Sequence, residues 1–241
     1  MNSIISNHLL FFLYVLILLC YIVKSVSIKN ESDLLSLFNK NDNQSNLIIN
    51  IDSEIQINNN IKIENSFEKI SFIGNDKDTS KLVFSNEEYQ LYFTENVKEI
   101  EFKNLSIKEN LFFDNNINVS FDTVNIYGSI DSNFEKNNEK IYFLNVSFTA
   151  SNLPTDFCVN LSGNIEIDNS IFLGNKACQK RLFHFNGLDK YKLDIKNSYY
   201  NGNYECPLIR INNGKNVELY ASYFDKGYIN IDDEEDPDCG G

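Results

Sequence analysis

The sequence predicts an all-β solenoid, in which short strands stack in parallel from one coil of the chain to the next. Three observations support this prediction: a recurring alternation of apolar residues, a polar or small residue that follows each alternation, and units without helical periodicity. The clearest copies start at residues 165–175 (IEIDNSIFLGN), 193–203 (LDIKNSYYNGN) and 217–227 (VELYASYFDKG).

The alternation marks strands that bury one face. Its copies begin at Ile100, Val119, Ile141, Ile165, Leu193 and Val217, with successive starts 19, 22, 24, 28 and 24 residues apart. Several units also hold an earlier strand, at residues 157–159, 183–185 and 209–211. One such unit cannot bury its apolar face alone, so we expect the units to stack into a continuous core.

A corner residue stands two positions after each alternation, and an apolar residue returns three positions later. The corner residues are Asn104, Thr123, Asn145, Asn169, Asn197 and Ala221. This [VIL]-x-[FIL]-x-N-[LVS]-x-[FIY] pattern resembles the right-handed parallel β-helix of the pectin-lyase-like superfamily over residues 47–231. The resemblance implies a right-handed coil with corner Asn amides stacked inward as a ladder. Leucine-rich repeats are the alternative, but their L-x-x-L-x-L frame and helical half are missing.

The two ends of a solenoid expose strand edges and need protection. At the front, residues 28–46 form the predicted N-terminal cap, with Ser32 as N-cap of a short amphipathic helix. At the back, residues 232–241 form an acidic tail. The tail protects the last coil by charge and a disulfide, or marks a truncated product, or accompanies a coil that pairs with another molecule; the sequence leaves these three open.

Residues 1–27 are predicted to be a signal peptide. Leu9 to Val23 is an apolar run of 15 residues, short for a membrane span of about 20 residues. Small residues at Ser25 and Ser27 predict cleavage after Ser27. The n-region lacks Lys and Arg, so a signal anchor is the alternative. No second run of membrane length follows, which predicts a secreted chain without a span.

Four cysteines remain after the predicted cleavage, which in a secreted protein indicates two disulfides. Three pairings exist, and sequential pairing, Cys158–Cys178 and Cys206–Cys239, closes the shorter loops. Glycosylation is predicted at the sequons of Asn30, Asn43, Asn118 and Asn160. The sequons of Asn104 and Asn145 coincide with corner residues, and we expect them to be unmodified because an inward amide cannot carry a glycan.

Two outward surfaces are candidate binding sites. Aligning the coils places Glu166, Asp168, Asp194 and Glu218 together in an acidic patch, which offers oxygen ligands for Ca²⁺ or paired acids for glycosidic cleavage. The competing interpretation is a solvated face in which Lys196 neutralises part of the charge. Ile171, Tyr199 and Tyr223 form an aromatic platform for sugars or a partner protein, or simply stabilise the sheet.

Catalytic machinery is not evident in the sequence. The chain lacks the polygalacturonase-like set of Asn-x-Asp, Asp-Asp, Gly-His-Gly and Arg-x-Lys in order along the coils. His184 lies between two Phe residues, and Arg210 is expected one coil above it; both are interpreted as solvated outward residues. The net charge of −13 argues against nucleic-acid and anionic-lipid partners.

The sequence therefore predicts a secreted, non-catalytic module that binds a glycan or an extracellular protein, without a cofactor or a metal site apart from the candidate Ca²⁺ site in the acidic patch. Its alternatives are a divergent polysaccharide lyase or hydrolase that uses outward carboxylates, and a truncated remnant of a surface adhesin.

Overall fold

The computed structural model describes residues 23–39, 46–135 and 139–228, and within them the chain is an all-β parallel solenoid of about eight coils. Strand β1 (Val23–Ile28) and helix α1 (Glu31–Phe38) come first. Each later coil gives one strand to sheet A, then one to sheet B and one to sheet C, and the last described coil ends after its sheet B strand. The strands are β2 (Asn46–Ile51), β3 (Glu54–Ile57), β4 (Ile61–Ile63), β5 (Phe67–Gly74), β6 (Lys81–Phe84), β7 (Gln90–Phe93), β8 (Val97–Lys103), β9 (Ser106–Lys108), β10 (Asn110–Phe113), β11 (Asn118–Asp122), β12 (Asn125–Gly128), β13 (Ile130–Ser132), β14 (Lys140–Leu144), β15 (Ser147–Ala150), β16 (Thr155–Ser162), β17 (Asn164–Asp168), β18 (Ile171–Leu173), β19 (Cys178–Asn186), β20 (Lys192–Lys196), β21 (Tyr199–Asn201), β22 (Ile209–Asn212), β23 (Asn216–Tyr220) and β24 (Tyr223–Asp225).

Every strand pairs in parallel with its equivalent one coil away, as the repeat predicts. In sheet A, Ile167 is in register with Ile195, and Ile195 is in register with Leu219. The inward apolar side chains of successive sheet A strands therefore lie above one another in a single column, or file, inside the coil. Four Phe rings from successive sheet A strands, Phe72, Phe102, Phe121 and Phe143, stack along this file at centroid distances of 5.0, 5.1 and 5.0 Å.

The N-terminal part of the fold differs from the prediction at two points. Val23–Ile28 forms β1 and pairs with β2, so the boundary predicted after Ser27 falls inside a strand of sheet A. The alternation of this segment resembles that of the other strands, which explains why it joins the sheet. The helix N-cap is Asn30 and not Ser32: the Asn30 side chain accepts a hydrogen bond from the Asp33 backbone N–H at 2.9 Å.

Helix α1 is short and amphipathic. Leu34, Leu37 and Phe38 are buried, and the Phe38 ring meets the edge of Phe67 at 6.3 Å. Across the described ranges, no helix has both the length and the apolar character needed to cross a membrane.

The predicted inward ladder of corner amides is wrong. Asn104, Asn145, Asn169 and Asn197 have φ between 48° and 54°, in the left-handed region that Asn tolerates better than most residues. This geometry turns the corner side chain away from the core: Asn145, Asn169 and Asn197 are exposed and Asn104 is half-buried. The Asn169 amide donates to Asn145 Oδ1 at 2.6 Å on the outside of the coil. Burial therefore gives no reason for Asn145 to escape glycosylation.

The inward position at the corner belongs to the next residue instead. Ser170 and Ser198 are buried there, and the Ser170 hydroxyl accepts a hydrogen bond from the Val146 backbone N–H at 3.1 Å. The Ser198 hydroxyl accepts in the same way from Ser170 N–H at 3.1 Å. A serine ladder thus satisfies the backbone N–H groups that the turns leave unpaired.

Candidate functional site

The outer face of sheet C carries a continuous polar arrangement that spans four neighbouring strands, β13, β16, β19 and β22. Parallel register places Asp131 beside Asn160, Asn160 beside His184, and His184 beside Arg210. The predicted position of Arg210 one coil above His184 is therefore confirmed. We call Asp131, Asn160, His184, Arg210 and the adjacent Asn212 the polar chain.

Hydrogen bonds run in one direction along the polar chain. Arg210 Nε donates to Asn212 Oδ1 at 3.2 Å, and Asn212 Nδ2 lies 3.2 Å from His184 Nε2. His184 Nδ1 lies 2.7 Å from Asn160 Oδ1, and Asn160 Nδ2 donates to both carboxylate oxygens of Asp131 at 3.3 Å. Every donor points from the guanidinium towards the carboxylate, so the chain connects a cation to an anion.

This arrangement fixes the protonation state of His184. Asn160 Oδ1 is an acceptor, so Nδ1 carries the proton, whereas Nε2 faces the amide donor of Asn212 and is unprotonated. A second proton on Nε2 would oppose that donor. Burial lowers the pKa of His184, and the nearby charges of Arg210 and Arg181 lower it further. The imidazole is therefore held neutral.

Burial raises the pKa of the Asp131 carboxyl. The hydrogen bond from Asn160 lowers this pKa, but it only partly offsets the effect of burial. Asp131, at the end of the polar chain, therefore binds a proton more readily than an exposed aspartate does. A carboxyl with this property in a concave surface is a typical feature of binding and catalytic sites.

Aromatic rings border the polar chain. Phe157 stacks on the imidazole of His184 with centroids 4.3 Å apart and an interplanar angle of 20°. Phe112 is in register with Asp131 on its other side and meets the ring of Tyr92 edge-on at 4.7 Å. A groove of about 470 Å³ is lined by Phe112, Phe157 and three members of the polar chain, Asp131, Asn160 and His184, together with Glu135. Its volume lies in the range of ligand-binding clefts.

The chemistry of the groove suits binding better than nucleophilic catalysis. Both imidazole nitrogens are occupied by amide groups, and within the described contacts His184 reaches no hydroxyl or thiol. The groove nevertheless offers the carboxyl group of Asp131, amide groups such as that of Asn160, and the flat apolar rings of Phe112 and Phe157. Such a combination can hold a ligand that has both hydroxyl groups and C–H faces.

The predicted acidic patch has the predicted register, and neighbouring groups of the chain itself bind two of its four carboxylates. Glu166 lies beside Asp194, which lies beside Glu218. However, Lys196 Nζ pairs with Asp194 at 2.6 Å, and Asn197 donates to Asp168 at 2.9 Å. Within residues 23–39, 46–135 and 139–228, no group of three or more His, Cys, Asp or Glu side chains is arranged to hold a metal ion.

The predicted aromatic platform also forms one outward column, on sheet B. Ile171 is in register with Tyr199, and Tyr199 with Tyr223. The Tyr199 hydroxyl donates to Asp225 at 2.9 Å, and this bond raises the pKa of Tyr199. This column lies on a different sheet from the polar chain, so the two are separate surfaces.

The cysteines and sequons occupy distinct places. The disulfide Cys158–Cys178 is confirmed and joins β16 to β19, with Cα atoms 5.2 Å apart. Cys206 is a buried thiol whose pKa burial raises to about 11, and Cys239 lies outside the described residues. Among the predicted glycosylation sites, Asn30 and Asn118 are exposed, whereas Asn160 is half-buried in the polar chain. Asn43 lies outside the described residues.

The sequence predicts that Arg210 lies one coil above His184, but it does not predict that Asp131, Asn160 and Asn212 join them in the polar chain. Its members are separated by 29 residues between Asp131 and Asn160, and by 24 between Asn160 and His184. The available signal was a polar residue at the centre of the earlier strand of several units, as in residues 183–185 and 209–211.

Comparisons with known proteins found no matching family model, no matching curated protein and no matching solved structure.

Proposed function

We propose that the protein is a secreted, non-catalytic binding module, and that the groove on sheet C binds a carbohydrate. The observation that supports this most is the polar chain beside the stacked ring of Phe157. Sugars present hydroxyl groups at their edges and C–H groups on their faces, and the groove offers partners for both. The net charge of −13 favours an uncharged ligand or one of opposite charge over a nucleic acid.

A glycan-array screen followed by calorimetric titration of the best ligand tests this proposal. Asp131→Asn removes the carboxylate while keeping its shape, and we expect at least about a tenfold loss of affinity, since a hydrogen bond to a charged group contributes roughly 1.5–3 kcal/mol. Asp194→Asn is the matched control, because Asp194 is a half-buried outward acid on sheet A. An affinity that falls with Asp194→Asn and not with Asp131→Asn would assign binding to the acidic patch. Loss with Tyr223→Ala would assign it to the aromatic platform.

Glycan mapping gives an independent test. Both groups of the Asn160 amide are used within the polar chain, and a glycan on Nδ2 would fill the groove. We therefore expect Asn118 to be glycosylated in the secreted protein and Asn160 to be unmodified, although both have sequons. A glycan found on every copy of Asn160 would contradict the proposal, because it would leave no room in the groove for a ligand.

A hydrolase is the second candidate function, because two carboxyl groups, Asp131 and Glu135, line the same groove. The raised pKa of Asp131 is a property of general acids in glycosidic cleavage. An assay for new reducing ends with the bound glycan separates the two candidates. Turnover that Asp131→Asn abolishes would make the protein an enzyme.

The proposal includes a right-handed coil of the pectin-lyase-like type with α1 as its N-terminal cap. Crossover connections between parallel strands are right-handed in about 98% of cases. Secretion is supported by the apolar run from Leu9 to Val23 and by the disulfide. N-terminal sequencing of the secreted chain tests the cleavage site; a chain that begins at Ile28 would have lost all of β1 except its last residue.

A further inference from the structure

A second groove lies on the outer face of sheet B, on a different surface from the polar chain. Its volume is about 560 Å³, and the lining residues that can recognise a ligand are Lys81, Lys108, Asn125, Tyr127, Ser147 and Thr149. We call it the sheet B groove. Clefts of this size hold small organic molecules, so a ligand that fills this one has a body as well as a polar or charged group.

The floor of the sheet B groove is a column of small side chains that point outward. Lys81 is in register with Ser106, Ser106 with Asn125, and Asn125 with Ser147. The next residue of the column, Ile171, does not line the groove and belongs to the aromatic platform. Because neighbouring strands lie about 4.8 Å apart, the floor from β6 to β15 is about 14 Å long.

Two lysines bring positive charge to one end of the sheet B groove. Lys81 and Lys108 stand on adjacent strands and two positions apart, so roughly 8 Å separates their Cα atoms and both side chains can reach one ligand group. The Lys108 ammonium lies 5.4 Å from the centroid of the Tyr127 ring and, among the described residues, pairs with no carboxylate. The Lys81 ammonium has Glu54 at 4.0 Å, and Glu54 already accepts a hydrogen bond from Gln56 at 2.6 Å.

The rest of the sheet B groove offers hydrogen-bonding groups that the fold leaves unused. Asn125, Ser147 and Thr149 are half-buried, and within the described part of the chain their side chains make no hydrogen bond. The Tyr127 hydroxyl accepts a hydrogen bond from the Asn152 amide at 3.1 Å and donates to no described group. Four polar groups are thus partly withdrawn from water and able to donate to a ligand.

These groups together favour an anion with several oxygen acceptors. Ammonium, hydroxyl and amide groups all donate, and a tetrahedral oxyanion accepts from several donors at once. Glu54 is the one acidic residue that lines the groove in the described part of the chain. The net charge of −13 opposes an anion only weakly here, because salt screens charges beyond about 8 Å at physiological ionic strength.

We propose that the sheet B groove binds a small molecule with several hydroxyl groups that carries a phosphate or sulfate ester. The ester group lies between Lys81 and Lys108, and the body of the molecule lies over Asn125, Ser147 and Thr149. Lysine binds such groups as a compact point charge, and the amide and hydroxyl groups orient the rest of the ligand. This site is independent of the carbohydrate groove on sheet C.

Isothermal titration calorimetry of the full chain tests the proposal, with glucose 6-phosphate and glucose 6-sulfate as probes and glucose as the uncharged reference. We expect at least one ester to bind at least about tenfold more tightly than glucose, and more weakly as salt is raised. The tighter ester identifies the kind of oxyanion. Lys108→Gln should weaken its binding at least about tenfold. Lys62→Gln is the matched control, because the Lys62 ammonium also lies 5.4 Å from a tyrosine ring, that of Tyr92, but on sheet C.

Two further variants test the contacts with the body of the ligand. Thr149→Val keeps the shape of the side chain and removes its hydroxyl, so it should weaken the ester more than inorganic phosphate. Ser147→Tyr should abolish binding of both, because it fills the floor with the residue that Tyr199 already places two coils away in the same column.

NMR spectra of the ¹⁵N-labelled chain locate the ligand and separate this site from the carbohydrate groove. The tighter ester should shift the amide resonances of β9, β12 and β15, both in wild type and in Asp131→Asn. Esters that bind no more tightly than glucose, or not at all at millimolar concentration, would overturn the proposal. So would an affinity that Lys108→Gln and Ser147→Tyr leave unchanged, or shifts confined to sheet C, since the ester would then occupy another site.

Discussion

Glu109 is a buried carboxyl group whose titration should control the stability of the coil. The side chain is 4% exposed at the junction of β9 and β10. Its Oε1 accepts a hydrogen bond from the Asn110 backbone N–H at 2.7 Å, whereas Oε2 is buried without a hydrogen-bond partner among the described residues. Burial raises the pKa of Glu109 from 4.5 to about 9, so the group is protonated in the folded state at neutral pH.

The sign and size of the effect follow from this pKa. Between pH 4.5 and about 9 the folded state holds a proton that the unfolded state has released, so stability falls as the pH rises. One pKa unit corresponds to about 1.4 kcal/mol, and pH 7 lies about 2.5 units above the ordinary pKa. Wild-type protein should therefore lose about 3 kcal/mol of unfolding free energy between pH 4.5 and pH 7 through this residue. Glu109→Gln mimics the protonated form and should not lose it.

Urea unfolding monitored by far-UV circular dichroism at several pH values between 5 and 8.5 measures the difference. We expect the Glu109→Gln variant to be more stable than wild type by an amount that grows with pH. Glu166→Gln, at an exposed position of sheet A, is the control and should follow the wild-type curve. Parallel pH curves for wild type and Glu109→Gln would refute the reasoning.

Two further predictions concern the corners and the disulfide. Thr123 has φ of 58°, which a β-branched residue adopts at a cost, so Thr123→Asn should stabilise the fold by about 1 kcal/mol. The reverse exchange Asn145→Thr should destabilise it by at least as much, and urea midpoints that moved in the opposite directions would show that backbone strain does not govern the corners. The disulfide Cys158–Cys178 closes a segment of 20 residues, so replacing both cysteines with alanine should cost about 3 kcal/mol. Differential scanning calorimetry measures that loss, and an unchanged melting temperature would show that the bond does not stabilise the coil.

The columns of inward core residues could be predicted because, in a strand with period-2 alternation, the apolar positions are the ones that face inward. The prediction for the corner is wrong because the left-handed backbone of Asn145 reverses the side-chain direction that simple alternation gives. The polar chain could not be predicted, since its members meet only after the register between coils is fixed. The lengths of the loops set that register, and they vary from unit to unit.

The imidazole of His184 provides the most direct test of the proposed site, because His8 is the other histidine in the sequence. A ¹⁵N NMR titration of the secreted protein should show the Nδ1–H tautomer and a pKa below the ordinary value of about 6.5. Adding the glycan selected by the array should shift the imidazole resonances of wild type, and should shift those of Asp131→Asn only at much higher concentration. An Nε2–H tautomer with an ordinary pKa and no response to glycan would contradict both the polar chain and its role in binding.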